Sequence, residues 1–254
     1  MKTKDLSLVD IAAEASKRRR FDEEPFQEKR SLLLLGGFIL LIAGLAIGGW
    51  LIFFKGKTSS QETVLQPPKS PVFSEKQEII GLKSERRSEL IFLVREKLNS
   101  PVAVNSVLNI PIYLETEKEK TFIQGLKLFQ LLEINPPADF VQSLEGSFAL
   151  GVFNLKKNTP FLIFKIRSFD LAFNGALNWE KNMAKDLKEI LLIQNIPQAS
   201  QKFQDKIVKN HDSRVLYNAS SSPVIIYSFA GKDYFITTTD IDTLEEIFNR
   251  LSGT

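Results

Sequence analysis

The chain has 254 residues, of which 43% are hydrophobic, and a formal net charge of +3 from 33 basic and 30 acidic side chains. A charge balance so close to neutral gives no strong electrostatic reason to bind nucleic acid, and no such partner is expected. The lack of cysteine excludes disulfides, thiolate catalysis and cysteine-ligated metals. The length allows one sizeable domain or two small ones beside a membrane anchor.

Residues 1–30 are predicted to form a polar tail on the cytoplasmic side of a membrane. Basic residues are more numerous in this tail than in the segment of similar length after the next apolar run. Lys29 and Arg30 border that run directly. Because basic residues accumulate on the cytoplasmic side of a span, the pattern places the N-terminus inside and the C-terminus outside.

A single transmembrane helix is predicted at residues 31–54. Its apolar part, Leu32 to Phe54, reads LLLLGGFILLIAGLAIGGWLIFF and contains no charge and no proline. About 20 apolar residues suffice to cross the hydrocarbon core as a helix. A buried helix of a soluble protein and a cleaved secretory signal are the alternatives. The run is longer than the 7–15 residues of a signal's apolar region and ends in large side chains, which favours an uncleaved anchor.

Three glycines within this segment are candidates for a helix–helix contact. Gly44 and Gly48 form a G-x-x-x-G step, and Gly37 lies one heptad earlier on the same face. Small residues let a second helix approach closely. The alternative is that glycine is simply frequent in membrane helices. The lipid bilayer is therefore an expected partner, and self-association through the span is a further expectation.

Residues 55–77 are predicted to be a linker. The segment KGKTSSQETVLQPPKSPVFSEKQ contains three prolines and little apolar periodicity, which is typical of a flexible or extended stalk. Residues 78–254 are then predicted to form one extracytoplasmic α+β domain. Without cysteine, this domain must be stabilised by core packing.

Elements in the first half of the domain follow from apolar spacing and from proline. They are a helix from Ser84 to Leu98, a strand over Val102–Leu114 interrupted near Pro111, a helix over Thr121–Glu133 and a further turn at Phe140–Leu144.

Two hairpins, each followed by a helix, dominate the second half. Strands are predicted at Ser147–Leu155, Pro160–Arg167, Phe203–Val208, Arg214–Tyr217, Pro223–Ala230 and Asp233–Thr238, and helices at Ser168–Leu192 and from Thr239 or Asp240 to Leu251. The predicted fold is thus an antiparallel sheet with repeated hairpin–helix (ββα) units.

The two helices are expected to bury one apolar face each. For the longer helix this face is Phe173, Ala176, Leu177, Met183, Ala184, Leu187 and Leu191. For the final helix it is Ile241, Leu244, Ile247, Phe248 and Leu251, which should pack on the sheet.

No pattern in the chain predicts catalysis, a cofactor or a metal site. His211 is the only histidine, which excludes a site of several histidines, and its neighbours favour a polar turn. The acidic residues from Asp240 to Glu246 fit a helix start better than a cation site. Glu180 and Asp186 are six residues apart on different helix faces, so they form no carboxylate pair. Trp179 is either a core residue or an exposed aromatic contact.

Three stretches carry a resemblance to a known group. PFLIFKIRSFDLAFNGALNWEKNMAKDL, FQDKIVKNHDSRVLYN and YFITTTDIDTLEEIFNRL resemble uncharacterised single-pass membrane proteins of small-genome, candidate-phylum bacteria. The resemblance implies a bacterial origin and no assigned activity. The layout is also similar to that of the bitopic inner-membrane subunits of type IV pilus and secretion machines, although the coiled coil after the span is lacking.

These features predict a non-enzymatic interaction or assembly domain of the bacterial cell envelope, anchored in the cytoplasmic membrane by one span. Its expected partners are other membrane or envelope proteins. Two alternatives stay open. The first is a single-pass receptor or sensor subunit that relays a ligand or partner signal. The second is a membrane-tethered hydrolase that uses carboxylates.

Overall fold

The computed structural model describes residues 66–117, 119–198 and 201–251, together with Gly37, Leu41, Ile42 and Gly44. These four residues are helical and exposed. The predicted tail, the rest of the predicted span with Gly48, and the first part of the linker lie outside the described residues. Among the residues that are described, no helix is long and apolar enough to cross a membrane.

Eleven strands and five helices occur within the described ranges from residue 66 onward. The strands are β1 Lys76–Gln77, β2 Ile80–Leu82, β3 Ser106–Asn109, β4 Ile112–Glu115, β5 Lys120–Phe122, β6 Leu144–Asn154, β7 Asn158–Ile166, β8 Gln204–Val208, β9 His211–Tyr217, β10 Pro223–Ala230 and β11 Tyr234–Thr238. The helices are α1 Arg87–Leu98, α2 Gly125–Leu132, α3 Ala138–Ser143, α4 Phe169–Asp186 and α5 Ile241–Arg250.

One large sheet organises the fold. Its eight strands follow the order β1-β3-β6-β7-β11-β10-β9-β8, and every neighbouring pair is antiparallel except β1 with β3. A smaller sheet has the order β2-β4-β5. The mixed α+β class and the mainly antiparallel sheet agree with the sequence prediction.

Each face of the large sheet carries its own hydrophobic core. On the α4 face, Leu162 and Phe164 of β7 pack with residues of α1 to α4 and of the small sheet. On the α5 face, Phe161 and Ile163 of the same strand pack with Leu244 and other residues of α5. Because side chains alternate along a strand, β7 supplies both cores and reads as an almost continuous apolar run.

The centre of the α4-face core is a cluster of aromatic rings around Phe140 of α3. Its ring centroid lies 5.0 Å from that of Trp179, 4.9 Å from that of Phe235 and 6.0 Å from that of Phe164. The close approach of α3 to α4 depends on Gly175, since a Cβ there would lie 2.3 Å from the backbone nitrogen of Phe140. Helix α4 is therefore held against α3 at backbone contact.

Helix α5 closes the opposite face and is fixed at both ends. At its start, the Asp240 carboxylate accepts a hydrogen bond from the Thr243 N–H at 2.9 Å, which is a normal N-cap. At its end, Arg250 donates to Glu246 at 2.6 Å and to the Glu75 carboxylate at 2.5 Å. The segment before β1 is thus tied to α5, and Val72 there is only 2% exposed. The final residues of the predicted linker are accordingly packed against the domain.

The structure agrees with the predicted hairpins β6–β7 and β10–β11 and with the helix that follows each. In the second half, α4 ends at Asp186 and not at Leu192, and His211, predicted to lie in a polar turn, is the first residue of β9. The first half differs more. The predicted strand Val102–Leu114 is two strands, because Pro111 stands where the chain leaves the large sheet for the small one. The predicted helix Thr121–Glu133 begins only at Gly125, and β5 precedes it.

The structure does not show a repeated ββα unit. Both hairpins are followed by a helix, but α4 and α5 pack on opposite faces of the sheet. Two copies of one packed unit would carry their helices on equivalent faces. The two halves therefore share only the order of their elements, a hairpin followed by a helix.

Candidate functional site

A groove of about 860 Å³ lies on the α4 face where the sheet extends beyond the cover of α4. We call it the β8 groove. Its walls come from the first half of α4, from β8, β9 and β10, and from the turns beside them. The lining residues are Phe169, Phe173, Leu177, Asp205, Lys206, Ile207, Asn210, His211, Asp212, Ser213, Arg214, Tyr227, Phe229 and Gly231.

Strand alternation decides which side chains face the groove. Val208 and Val215 belong to the α5-face core, so their strand neighbours turn the other way. Asp205 pairs with Arg214 across β8 and β9, and Ile207 pairs with Asp212. These four side chains consequently stand on the α4 face. Ile207 is 71% exposed, which is unusual for a large aliphatic residue in a strand.

An aromatic cluster forms the inner wall. The rings of Phe169 and Phe173 stack at 5.8 Å, and both meet Phe229 of β10, at 5.2 Å and 6.1 Å. Phe173 remains 40% exposed. Rigid, part-exposed aromatic side chains next to an exposed isoleucine are typical of a surface that binds another molecule.

A charge cluster joins α4 to the strands beside the groove. The Arg214 guanidinium donates to both carboxylate oxygens of Glu180, at 2.8 Å and 3.0 Å, and to Asp205 at 2.7 Å. The Tyr227 hydroxyl donates to Glu180 at 2.7 Å. The bidentate geometry orients the guanidinium and links α4 to β9 and β10. The hydrogen bond to Glu180 raises the pKa of Arg214 further above its usual range.

Burial of Tyr227, and then its hydrogen bond to Glu180, hold the pKa of this phenol well above its ordinary value of about 10. The folded state therefore keeps a proton that the unfolded chain loses. The stability that this group contributes is present below about pH 10 and is lost as the pH rises above it.

We expect the free energy of unfolding to fall between about pH 9 and pH 11 by about 1.4 kcal/mol more in the wild type than in Tyr227→Phe. Urea titrations of the full chain at the two pH values measure both changes. The remaining tyrosines are common to the two proteins and cancel in the comparison. Equal losses in the two proteins would show that Tyr227 ionises as freely when folded as when unfolded.

The residues that were candidates for a catalytic or metal site make structural contacts within the fold. The His211 ring stacks on Phe248 of α5 with centroids 4.0 Å apart, although the residue also borders the groove. Trp179 is buried and its indole N–H donates to Asp186 at 2.7 Å. Asp240 is the N-cap of α5. Across the described ranges, no group of three or more histidine, aspartate or glutamate side chains is placed to hold a metal.

Sequence reasoning did not identify the groove. The predicted buried stripe is confirmed for Ala176, Met183, Ala184, Leu187 and Leu191. Phe173 is exposed and Leu177 is half-buried, and Ala172 and Trp179 complete the buried face. The available signal was a second apolar line along the helix, which also includes Phe169. A second apolar line beside the buried one indicates a helix face that contacts another part of the protein or another molecule.

Comparison of the chain with protein-family models, curated proteins and solved structures finds no match.

Proposed function

We propose that the protein is a membrane-anchored, non-enzymatic interaction protein of the bacterial cell envelope. In this proposal residues 31–54 span the cytoplasmic membrane and residues 1–30 stay in the cytoplasm. The linker holds the α+β domain on the outer side. The support for the anchor is the uncharged run from Leu32 to Phe54 and the basic residues before it.

The β8 groove is the observation on which the interaction role rests. An exposed Phe173 and an exposed Ile207 border it, and its inner wall is built from packed aromatic rings. A groove lined by packed rings and exposed apolar side chains marks a binding surface more strongly than a lone exposed side chain such as Phe92 does. The charged groups of the cluster beside the groove already bind one another, since Arg214 pairs with Glu180 and Asp205. This pairing supports a rigid docking surface more than a reactive site.

Two other functions compete with this proposal. A receptor or sensor could take a small ligand in the same groove and would need a cytoplasmic partner to dock on the short tail. A hydrolase using carboxylates would need two buried acidic groups in one cavity. The carboxylates that line the groove, Asp205 and Asp212, are both exposed, which favours the interaction role.

Site-specific photo-crosslinking tests the interaction role. A photoreactive phenylalanine analogue replaces Phe173 in the full chain, in bacterial membranes of the native host. The matched control replaces Phe92, an exposed phenylalanine of α1 that does not line the groove. We expect a discrete covalent adduct from position 173 and none from position 92. No adduct at position 173, or the same adducts at both positions, would contradict the proposal.

Self-association through the span is proposed as a separate contact. Gly37, Gly44 and Gly48 share one helix face if the segment is helical throughout. In a membrane two-hybrid assay, we expect Gly44→Ile combined with Gly48→Ile to abolish a self-association signal. An unchanged signal would exclude this face as the contact.

A further inference from the structure

Among the strands of the described ranges, β8 is the last at one edge of the large sheet, with β9 as its neighbour. The turn that joins it to β9 has two residues, Lys209 and Asn210, both with positive φ (45° and 63°). This is the geometry of a tight hairpin turn, in which the flanking residues Val208 and His211 form a hydrogen-bonded pair. In an antiparallel ladder, hydrogen-bonded and non-hydrogen-bonded pairs alternate. The pairs of Lys206 with Ser213 and of Gln204 with Val215 are therefore hydrogen-bonded as well.

The remaining residues of the strand, Asp205 and Ile207, point their backbone N–H and C=O groups away from β9. No turn, loop or side-chain hydrogen bond in the described ranges reaches these groups. The opposite edge of the sheet, β1, has only two residues and carries an ion pair between Lys76 and Glu78. A two-residue edge offers little backbone to pair with, whereas β8 presents five residues. Lys206 on β8 acts against pairing with a positively charged strand.

The charge along this edge selects between possible partners. Residues 202–209 contain Lys202, Lys206 and Lys209 and one acid, Asp205, whose carboxylate Arg214 already binds. Lys206 is exposed, and within the described part of the chain no ion pair engages it. Lys209 donates to Asn249 and interacts with Glu246, so the positive charge that the described part of the edge offers a partner is centred on Lys206. Pairing of two copies centred on Lys206 would set like charges opposite each other, which is destabilising.

We propose that an extended acidic segment of another protein adds to β8 as a ninth, antiparallel strand. This inference rests on the proposed interaction role and names the chemistry of its partner. Opposite Ile207 the added strand carries a large apolar side chain, which packs on Ile207 at the rim of the β8 groove. Opposite Lys206, on the other face, it carries a glutamate or aspartate. Backbone hydrogen bonds supply affinity and the alternating side chains supply specificity.

The probes are synthetic eight-residue peptides in which glutamate alternates with valine or phenylalanine, titrated into the full chain in detergent. A second peptide has lysine in place of every glutamate. Two further peptides carry N-methyl groups, one on its apolar residues and one on its glutamates. In the proposed pairing the apolar residues direct their N–H groups to β8 and the glutamates direct theirs to solvent.

We expect the glutamate peptide to bind at least about tenfold more tightly than the lysine peptide. N-methylation of the apolar residues should abolish binding, and N-methylation of the glutamates should leave it nearly unchanged. Lys206→Glu should reverse the preference to the lysine peptide. Lys157→Glu, a matched reversal of an exposed lysine in the β6–β7 turn, should have no effect.

Three results would overturn the inference: equal binding of the two N-methylated peptides, equal or tighter binding of the lysine peptide, or no saturable binding of the glutamate peptide below about 1 mM. A dimer of the full chain that Lys206→Glu alters would point to a second copy as the occupant and would also overturn it. If any of these results occurred while the photoreactive residue at position 173 still formed a specific adduct, the interaction role would be supported. Only the acidic strand as its partner would be excluded.

Discussion

Replacing both Leu244 and Ile247 by alanine should leave little folded domain at 37 °C. Leu244 is 0% exposed and Ile247 is 1% exposed, and both lie in the core between α5 and the sheet. Each large-to-alanine change in such a site costs about 2–5 kcal/mol through lost transfer free energy and the cavity left behind. The sum, about 4–10 kcal/mol, is comparable to the total stability of a typical domain, about 5–15 kcal/mol.

Urea denaturation of the full chain in mild detergent measures this effect. Trp179 is buried and reports unfolding by its fluorescence once Trp50 is replaced by phenylalanine. Asp242→Ala is the matched control on the same helix, because Asp242 is exposed and its contact with Lys156 spans 3.5 Å at the surface. Because Asp242 lies in the first turn of α5 and pairs with Lys156 only at the surface, its loss should change the free energy of unfolding by no more than about 1 kcal/mol. If the urea midpoint of the Leu244→Ala, Ile247→Ala variant equalled that of the wild type, α5 would not be packed in the core.

Gly175→Ala should destabilise the domain by about 3 kcal/mol, even though alanine favours helices over glycine by about 0.5–1 kcal/mol. The new methyl group would lie 2.3 Å from the Phe140 backbone nitrogen and 2.7 Å from its Cα. Backbone atoms cannot rotate aside as a flexible side chain can. Helix α4 must therefore move away from α3 and disturb the ring cluster around Phe140.

The same denaturation experiment tests this prediction, and Asn174→Ala is the control. Asn174 is exposed on the neighbouring position of α4, so its replacement should be neutral or slightly stabilising. A stabilising effect of Gly175→Ala would contradict the prediction. It would mean that α3 and α4 lie farther apart than the structure shows, or that the ring cluster tolerates displacement of α4.

The parts of the fold that depend on local patterns could be predicted from the sequence. Strands β6, β7, β10 and β11 follow alternation or continuous apolar runs, and the start of α5 follows from the capping preference of Asp240. Strand pairing between distant segments has no such local signal. The division of Val102–Leu114 between two sheets required knowledge of which strands lie beside it.

The candidate site depended on non-local contacts and was missed for that reason. Glu180 is separated from Arg214 by 34 residues and from Tyr227 by 47. No spacing rule connects these positions. Helix α4 carries two apolar lines, and periodicity alone does not decide which of them is buried. The exposure of Phe173 follows only from where α4 lies on the sheet.

Protease accessibility tests the central claim of a membrane-anchored domain on the outer side most directly. The full chain, tagged at both ends, is expressed in bacterial cells whose outer membrane is then permeabilised, and protease is added. We predict cleavage in the linker, release or digestion of the C-terminal domain, and protection of the N-terminal tag together with a cytoplasmic marker protein. Protection of the domain with loss of the N-terminal tag, while the cytoplasmic marker stays intact, would contradict the account.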